Sequence, residues 1–147
     1  MKKINLKIIT PERLILEEKV DQVSLPTEKG EITILPDHIP LITKLTSGDI
    51  VAVVDGESLP IAVVGGFLEV KKTDKEETEV AILADFAEHL EELSEEKIIA
   101  ARAKADELRE QIKNKEVVDF EHFATELERS LTRVRIADKW KNKKYRK

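Results

Sequence analysis

The feature that most constrains this chain is where its helix breakers stop. All five prolines and all five glycines lie before residue 67, and none follows. Glycine supplies the positive φ that tight turns need, and proline breaks a helix interior. A chain punctuated in one half only folds as two unlike parts. The hydrophobic pattern changes with the punctuation, from a period of two to a period near 3.6, and the change falls near residue 86.

Before that point, short apolar alternations are separated by turn residues. Ile4, Leu6 and Ile8 alternate with Asn5 and Lys7, and Ile32 and Ile34 flank Thr33. Val20, Val23 and Leu25 follow a Glu-Glu-Lys segment read as a turn. The β-branched run 50–54 ends at Asp55-Gly56, a strong two-residue hairpin signal, and residues 61–64 pair back across it. Residues 67–70 and 80–83 flank a charged loop, 71–79. Many short strands at such spacing predict a sandwich or barrel.

After residue 86 the chain is rich in Ala, Glu, Lys, Arg and Leu, the strong helix formers. Ile98, Ala101, Ala105, Leu108 and Ile112 step by three and four, forming one helical stripe. Ser94 is the predicted N-cap, with Glu95 and Glu96 in the first turn where the helix dipole favours acid. Asn114-Lys115-Glu116 interrupts the pattern, and Asp119 caps a second helix with the stripe Phe120, Phe123, Leu127, Leu131 and Val134. The predicted class is therefore α+β: an all-β sandwich over residues 1–86, then an antiparallel two-helix hairpin over residues 87–147. Such a hairpin has a narrow apolar seam and is marginal alone. It must dock on the β part, dock on a partner, or alternate between them. Trp140 extends the second stripe beyond Val134 and Ile136, as an anchor on the sandwich, on a partner, or within the hairpin itself.

Composition excludes several classes. Without cysteine there is no disulfide framework, thiolate metal site or cysteine nucleophile. No His-x₃-His pair or clustered carboxylate loop suggests a metal. The longest apolar run, residues 59–68, holds one proline and two glycines, and a helical span needs about 20 residues. The first ten residues lack the continuous apolar core of a signal peptide, so the protein is expected to stay where it is made. There is no GxxxxGK[ST] phosphate loop.

Charge is distributed unevenly. Residues 88–128 carry 13 acidic and 6 basic side chains, whereas residues 129–147 carry 9 basic and 1 acidic. The second helix thus ends in a cationic tip: Arg129, Arg133, Arg135, Lys139, Lys141, Lys143, Lys144, Arg146 and Lys147. One reading is a solvated face that complements the helix C-terminus. The other is a contact with an acidic surface. Nucleic acid is the weaker candidate, because the whole chain carries a formal charge of −5 and its first half is acidic.

The stretch 25–41 reads LPTEKGEITILPDHIPL. With Thr43 and the Ser47-Gly48-Asp49-Ile50 turn, it resembles the ε subunit of bacterial and chloroplast F-type ATP synthases. The matches are Gly30, Glu31, Pro36, His38, Pro40 and Leu41. Asp37 stands where the family has glycine, and Asp tolerates a left-handed backbone better than most residues. Gly65-Gly66-Phe67-Leu68-Glu69-Val70 is similar to a second family segment, residues 80–85 to its last strand, and Ala101-Arg102-Ala103 and Val118-Asp119-Phe120 to its two helices. The resemblance covers nearly the whole chain in order.

The resemblance implies a sandwich of about ten strands and a helical hairpin. It implies a non-catalytic central-stalk subunit that couples ion-driven rotation of the c ring to the γ subunit. It further implies a hairpin that folds on the sandwich or extends into the α/β catalytic head and inhibits ATP hydrolysis. Glu31, Pro36, Asp37, His38, Pro40 and Leu41 would contact the c ring and γ. Arg129, Arg133, Arg135 and Lys139 would meet an acidic surface of the catalytic β subunit. Some members of the family bind ATP on the folded hairpin; the corresponding residues are Ile98, Arg102, Ala103 and Arg109, with Ile99 where the motif has Asp. Otherwise no cofactor is expected. The implied location is peripheral, at the cytoplasmic face of a bacterial membrane and reached only through the c ring. An enzymatic use of His38 beside Asp37 lacks a nucleophile and a second histidine. The acidic segment 91–96 resembles a loop of the catalytic β subunit, but an acidic linker ending in an N-cap accounts for it.

Overall fold

The computed structural model describes residues 2–114 and 119–146. Lys115, Glu116, Val118 and Lys147, singled out above, lie outside the described residues, as does the Phe120 side chain. The strands are β1 (Ile4–Ile9), β2 (Leu14–Val20), β3 (Gln22–Thr27), β4 (Gly30–Ile34), β5 (Leu41–Leu45), β6 (Gly48–Val54), β7 (Glu57–Lys72) and β8 (Thr78–His89). A single 3-10 turn, Leu90–Glu92, leads to α1 (Glu95–Lys113) and α2 (Phe120–Trp140).

Two long strands organise the sandwich. The C-terminal half of β7 and the N-terminal half of β8 pair with each other and sit in one layer with β2, β1 and β5. Their other halves sit in the second layer with β6, β3 and β4. The alternating positions that define the pattern point inward: Ile4, Leu6, Ile8, Leu25, Ile34, Ile50, Ile61, Leu68 and Ile82 are fully buried in one core. Both layers thus have one apolar inner face, as the period of two requires.

The number of strands differs from the expected ten or so: eight are present among the described residues. Residues 61–64 and 67–70, read as separate strands, belong to β7. The glycines between them bend the strand rather than end it, with Gly65 at φ 70° and Gly66 at φ 131°. At Gly66 an added Cβ would lie 2.3 Å from the Leu83 carbonyl oxygen and 2.8 Å from the Ala84 Cα. Only glycine lets β7 and β8 approach this closely while changing layer. The Glu17-Glu18-Lys19 turn is also corrected. These residues belong to β2, an edge strand paired only with β1 along this stretch, where polar side chains protect an open edge. The β part reaches His89 rather than residue 86, so His89 belongs to the last strand and not to the helical half.

Local signals are obeyed elsewhere. β6 and β7 turn at Asp55-Gly56, both with positive φ (50° and 82°), as a type I′ hairpin demands. Ser94 caps α1 by accepting the Lys97 amide at 3.2 Å, and Asp119 caps α2 by accepting that of His122 at 3.1 Å. The α1 stripe buries Ala101, Ala105 and Leu108. On α2 the stripe residues Phe123, Leu127, Leu131 and Val134 are only half-buried, and the buried positions among the described residues are Ser130, Thr132, Ile136 and Trp140. The helix has a second contact face. Ile136 and Trp140 pack with Ala62, Leu90 and Leu93, so the hairpin is docked on the outer face of the layer that holds β6.

Candidate partner-binding surfaces

The loop between β4 and β5 is held by Asp37. Its backbone takes φ 68°, the left-handed conformation that the family's glycine would provide. The Asp37 amide donates to Thr78 Oγ1 at 2.7 Å, and its carboxylate accepts from Lys2 at 2.8 Å and Lys72 at 3.2 Å. Hydrogen bonds from these two lysines hold the Asp37 carboxyl below its ordinary pKa. The loop is therefore tied to the starts of β1 and β8 and the end of β7. His38 does not face Asp37. Its Nδ1–H donates to the Ile39 carbonyl at 2.7 Å, which leaves the acid–base reading without geometry.

The sequence reading misplaces the apolar character of this loop. Leu41 is half-buried and packs on the core, opposite Val70. The exposed apolar residues are its neighbours Leu35, Ile39 and Ile42. Glu31 is exposed on β4, Pro40 is exposed, and Pro36 is half-buried.

Ile42 lies on the outer face of the layer containing β5. The register continues that face as a row across five strands: Lys44, Phe67, Leu83, Ile9 and Leu14. Phe67, Leu83 and Leu14 are 57%, 59% and 50% exposed. Cross-strand neighbours touch, so these residues form a continuous patch. An exposed apolar patch of this kind marks a place where another surface sits.

The opposite outer face is occupied by the hairpin, and here most of the predicted cations are engaged. Arg133 donates through Nε to Glu88 at 2.7 Å and through a terminal nitrogen to the other carboxylate oxygen at 3.3 Å. Glu88 is only 5% exposed, so its carboxylate is largely withdrawn from water, while Arg133 stays half-buried. The guanidiniums of Arg129 and Arg133 lie 4.8 and 5.0 Å from the centre of the Phe86 ring. Lys139 pairs with Asp49 at 2.8 Å, and the Trp140 indole N–H donates to the same carboxylate at 2.9 Å. Arg135 is exposed. The Ser47 hydroxyl also donates to Glu128. Beyond α2, Arg146 meets both oxygens of Glu18 at 2.6 Å, which lowers the Glu18 pKa from its ordinary 4.5.

The four residues of the ATP motif do not converge. Ile98 and Arg102 line a groove of about 1210 Å³ beside Leu93, Trp140 and Lys143. Ala103 and Arg109 are exposed on α1 and do not line it. Arg102 is 3.5 Å from Asp138, and Ile99 is 68% exposed with no carboxylate to offer. Among the described residues no group of acids and histidines is arranged to hold a metal. Among the described residues no helix is long and apolar enough to cross a membrane.

The β-sandwich thus carries an exposed apolar row on one outer face and the charged hairpin on the other. Residues 3–90 match the family model described as "ATP synthase, Delta/Epsilon chain, beta-sandwich domain", and the match ends where the hairpin begins. The chain belongs to this family. The ATP synthase epsilon chain of Chloroflexus aggregans is 49% identical over 67 residues, covering 46% of this chain and 48% of that protein. The ATP synthase epsilon chain of Carboxydothermus hydrogenoformans is 52% identical over 69 residues, covering 47% and 52%. The aligned part thus spans about half the length of these relatives. The fold is shared with a chain of the Euglena gracilis mitochondrial ATP synthase, at TM-score 0.63 and 22% identity, over 96% of this chain and 81% of that one. A central-stalk/c-ring structure of the Tetrahymena thermophila enzyme gives TM-score 0.51 at 16% identity, over 65% and 74%.

Proposed function

We propose that this chain is a non-catalytic central-stalk subunit of a rotary F-type ATP synthase. The sandwich binds the γ subunit and rests on the c ring, and the hairpin regulates hydrolysis by the α/β head. The exposed row through Phe67, Leu83 and Leu14 carries this reading. It adjoins Ile42 on β5, so an exposed apolar row is available to meet a rotor element. Family membership supports the choice of partner. Membrane attachment is then peripheral, on the cytoplasmic side, and indirect through the c ring.

The test is binding to the matching γ subunit. Phe67→Ser is expected to weaken it about 30-fold, the effect of removing a central aromatic worth about 2 kcal/mol. Because Phe67 is already exposed, the melting temperature should hold. Unchanged affinity for γ would remove this surface from the reading.

We propose also that hairpin docking needs no nucleotide. Support comes from the absence of a carboxylate at Ile99, the pairing of Arg102 with Asp138, and the commitment of Arg133 to Glu88. Titration with millimolar ATP is expected to leave Trp140 emission unchanged. A saturable change would establish nucleotide binding instead.

A further inference from the structure

Residues 141–146 double back from the end of α2 onto the sandwich. Arg146 ends that excursion with three bonds: two from its guanidinium to Glu18 on β2, and one from its amide to the Ser58 carbonyl on β7 at 2.7 Å. Between them, Tyr145 meets Trp140 edge to face at 6.1 Å, and Lys143 lies 5.4 Å from the centre of the indole. Trp140 itself is fixed to Asp49 beside Lys139. The segment therefore covers the indole and ties the end of α2 to both β2 and β7.

We propose that residues 139–146 form a charge-operated latch that keeps the hairpin docked, with its acidic seat built from Glu18 and Asp49. A bidentate arginine–carboxylate pair is among the stronger directed contacts a surface can make. At about a third exposed on each side, the Arg146–Glu18 pair is open to screening by salt. The Arg133–Glu88 pair is screened less, because the Glu88 side chain is 7% exposed. The latch opens first as ionic strength rises, and the rest of the docked face follows. The cations in the latch are also those that an outside acidic surface would need, so docking withholds them from it. This inference rests on the reading of the hairpin as a mobile regulator and names what restrains it.

The chain has one tryptophan, so Trp140 reports the latch directly. Acrylamide quenching is measured on the full chain as sodium chloride is raised from 0.05 to 1 M, for wild type, Glu18→Gln, Arg146→Gln and the double variant. Either single change should shift the docking equilibrium roughly tenfold towards open, the scale of one charged hydrogen-bonded pair. The double variant should open no further than the singles, since both remove one interaction. Equal quencher access in all four proteins at every salt concentration overturns the latch. Additive effects in the double variant also overturn it, because the two residues would then act separately. Hydrolysis by the matching γ-containing head is measured in parallel. If the variants open but inhibition stays the same, the latch stands and the regulatory reading falls.

Discussion

Replacing Trp140 with alanine should release the hairpin while leaving the sandwich folded. The indole is 7% exposed and forms the centre of the only apolar cluster that joins α2 to the β part among the described residues. Removing a buried aromatic costs about 3–5 kcal/mol, part of it from the cavity left behind. The remaining contacts of α2 with the sandwich are polar or charged, to Glu88, Asp49, Ser47 and the Phe86 ring, and beside them stands the narrow seam with α1. A two-helix seam is too narrow to hold by itself. Amide exchange in α1 and α2 is therefore expected to accelerate roughly a hundredfold or more, while β1, β7 and β8 keep their protection. Loss of protection in both parts together would show that they unfold as one unit. If the hairpin regulates the enzyme, the same variant should inhibit hydrolysis more strongly than wild type at equal concentration.

Gly66→Ala should damage the sandwich itself. The new methyl would be driven against the backbone of β8, which has no rotamer through which to yield. Residue 66 also sits at φ 131°, a conformation that side chains rarely adopt. Overpacking and positive φ together put the loss at about 3 kcal/mol, or roughly 10 °C in Tm for a chain of this size. Gly30→Ala separates the two causes. Its φ is 109°, but nothing lies within 4 Å of the added carbon, so it should cost about 1 kcal/mol. Equal melting temperatures for the two variants would show that crowding at the bend is relieved.

The features legible in the sequence were those set by neighbours along the chain. A left-handed Asp37, the Asp55-Gly56 turn and the caps Ser94 and Asp119 each depend on a few adjacent residues, and each is found as expected. The features missed depend on what lies across space. Gly65-Gly66 reads as a break because a local pattern does not show that β8 passes beside it. Phe67 and Leu83 stand within runs that are apolar on both faces. Such runs usually indicate a strand covered on both sides, and here no described residue covers the outer side. On α2, a single stripe is read, with Trp140 at its end as an anchor on the sandwich, on a partner or within the hairpin. The apolar residues that face the sandwich, Ile136 and Trp140, stand four apart and make a second row. Charge composition pointed to the cationic end of the chain, but not to the partners within it: Arg133 and Arg146 find their carboxylates 45 and 128 positions away.

The two long strands have a mechanical consequence. Ala62, beneath the hairpin, and Phe67, on the bare face, are both on β7, five residues apart and therefore about 17 Å along the backbone. Glu88 and Leu83 stand in the same relation on β8. A load applied to the bare face reaches the hairpin seat along continuous covalent chain, with no sliding joint between. The paired strands act as a girder: they bear a twisting force in tension and share it across their ladder of hydrogen bonds. The bend at Gly65 and Gly66 lies between the two points, so it is the pairing with β8 on either side that holds them in fixed relation.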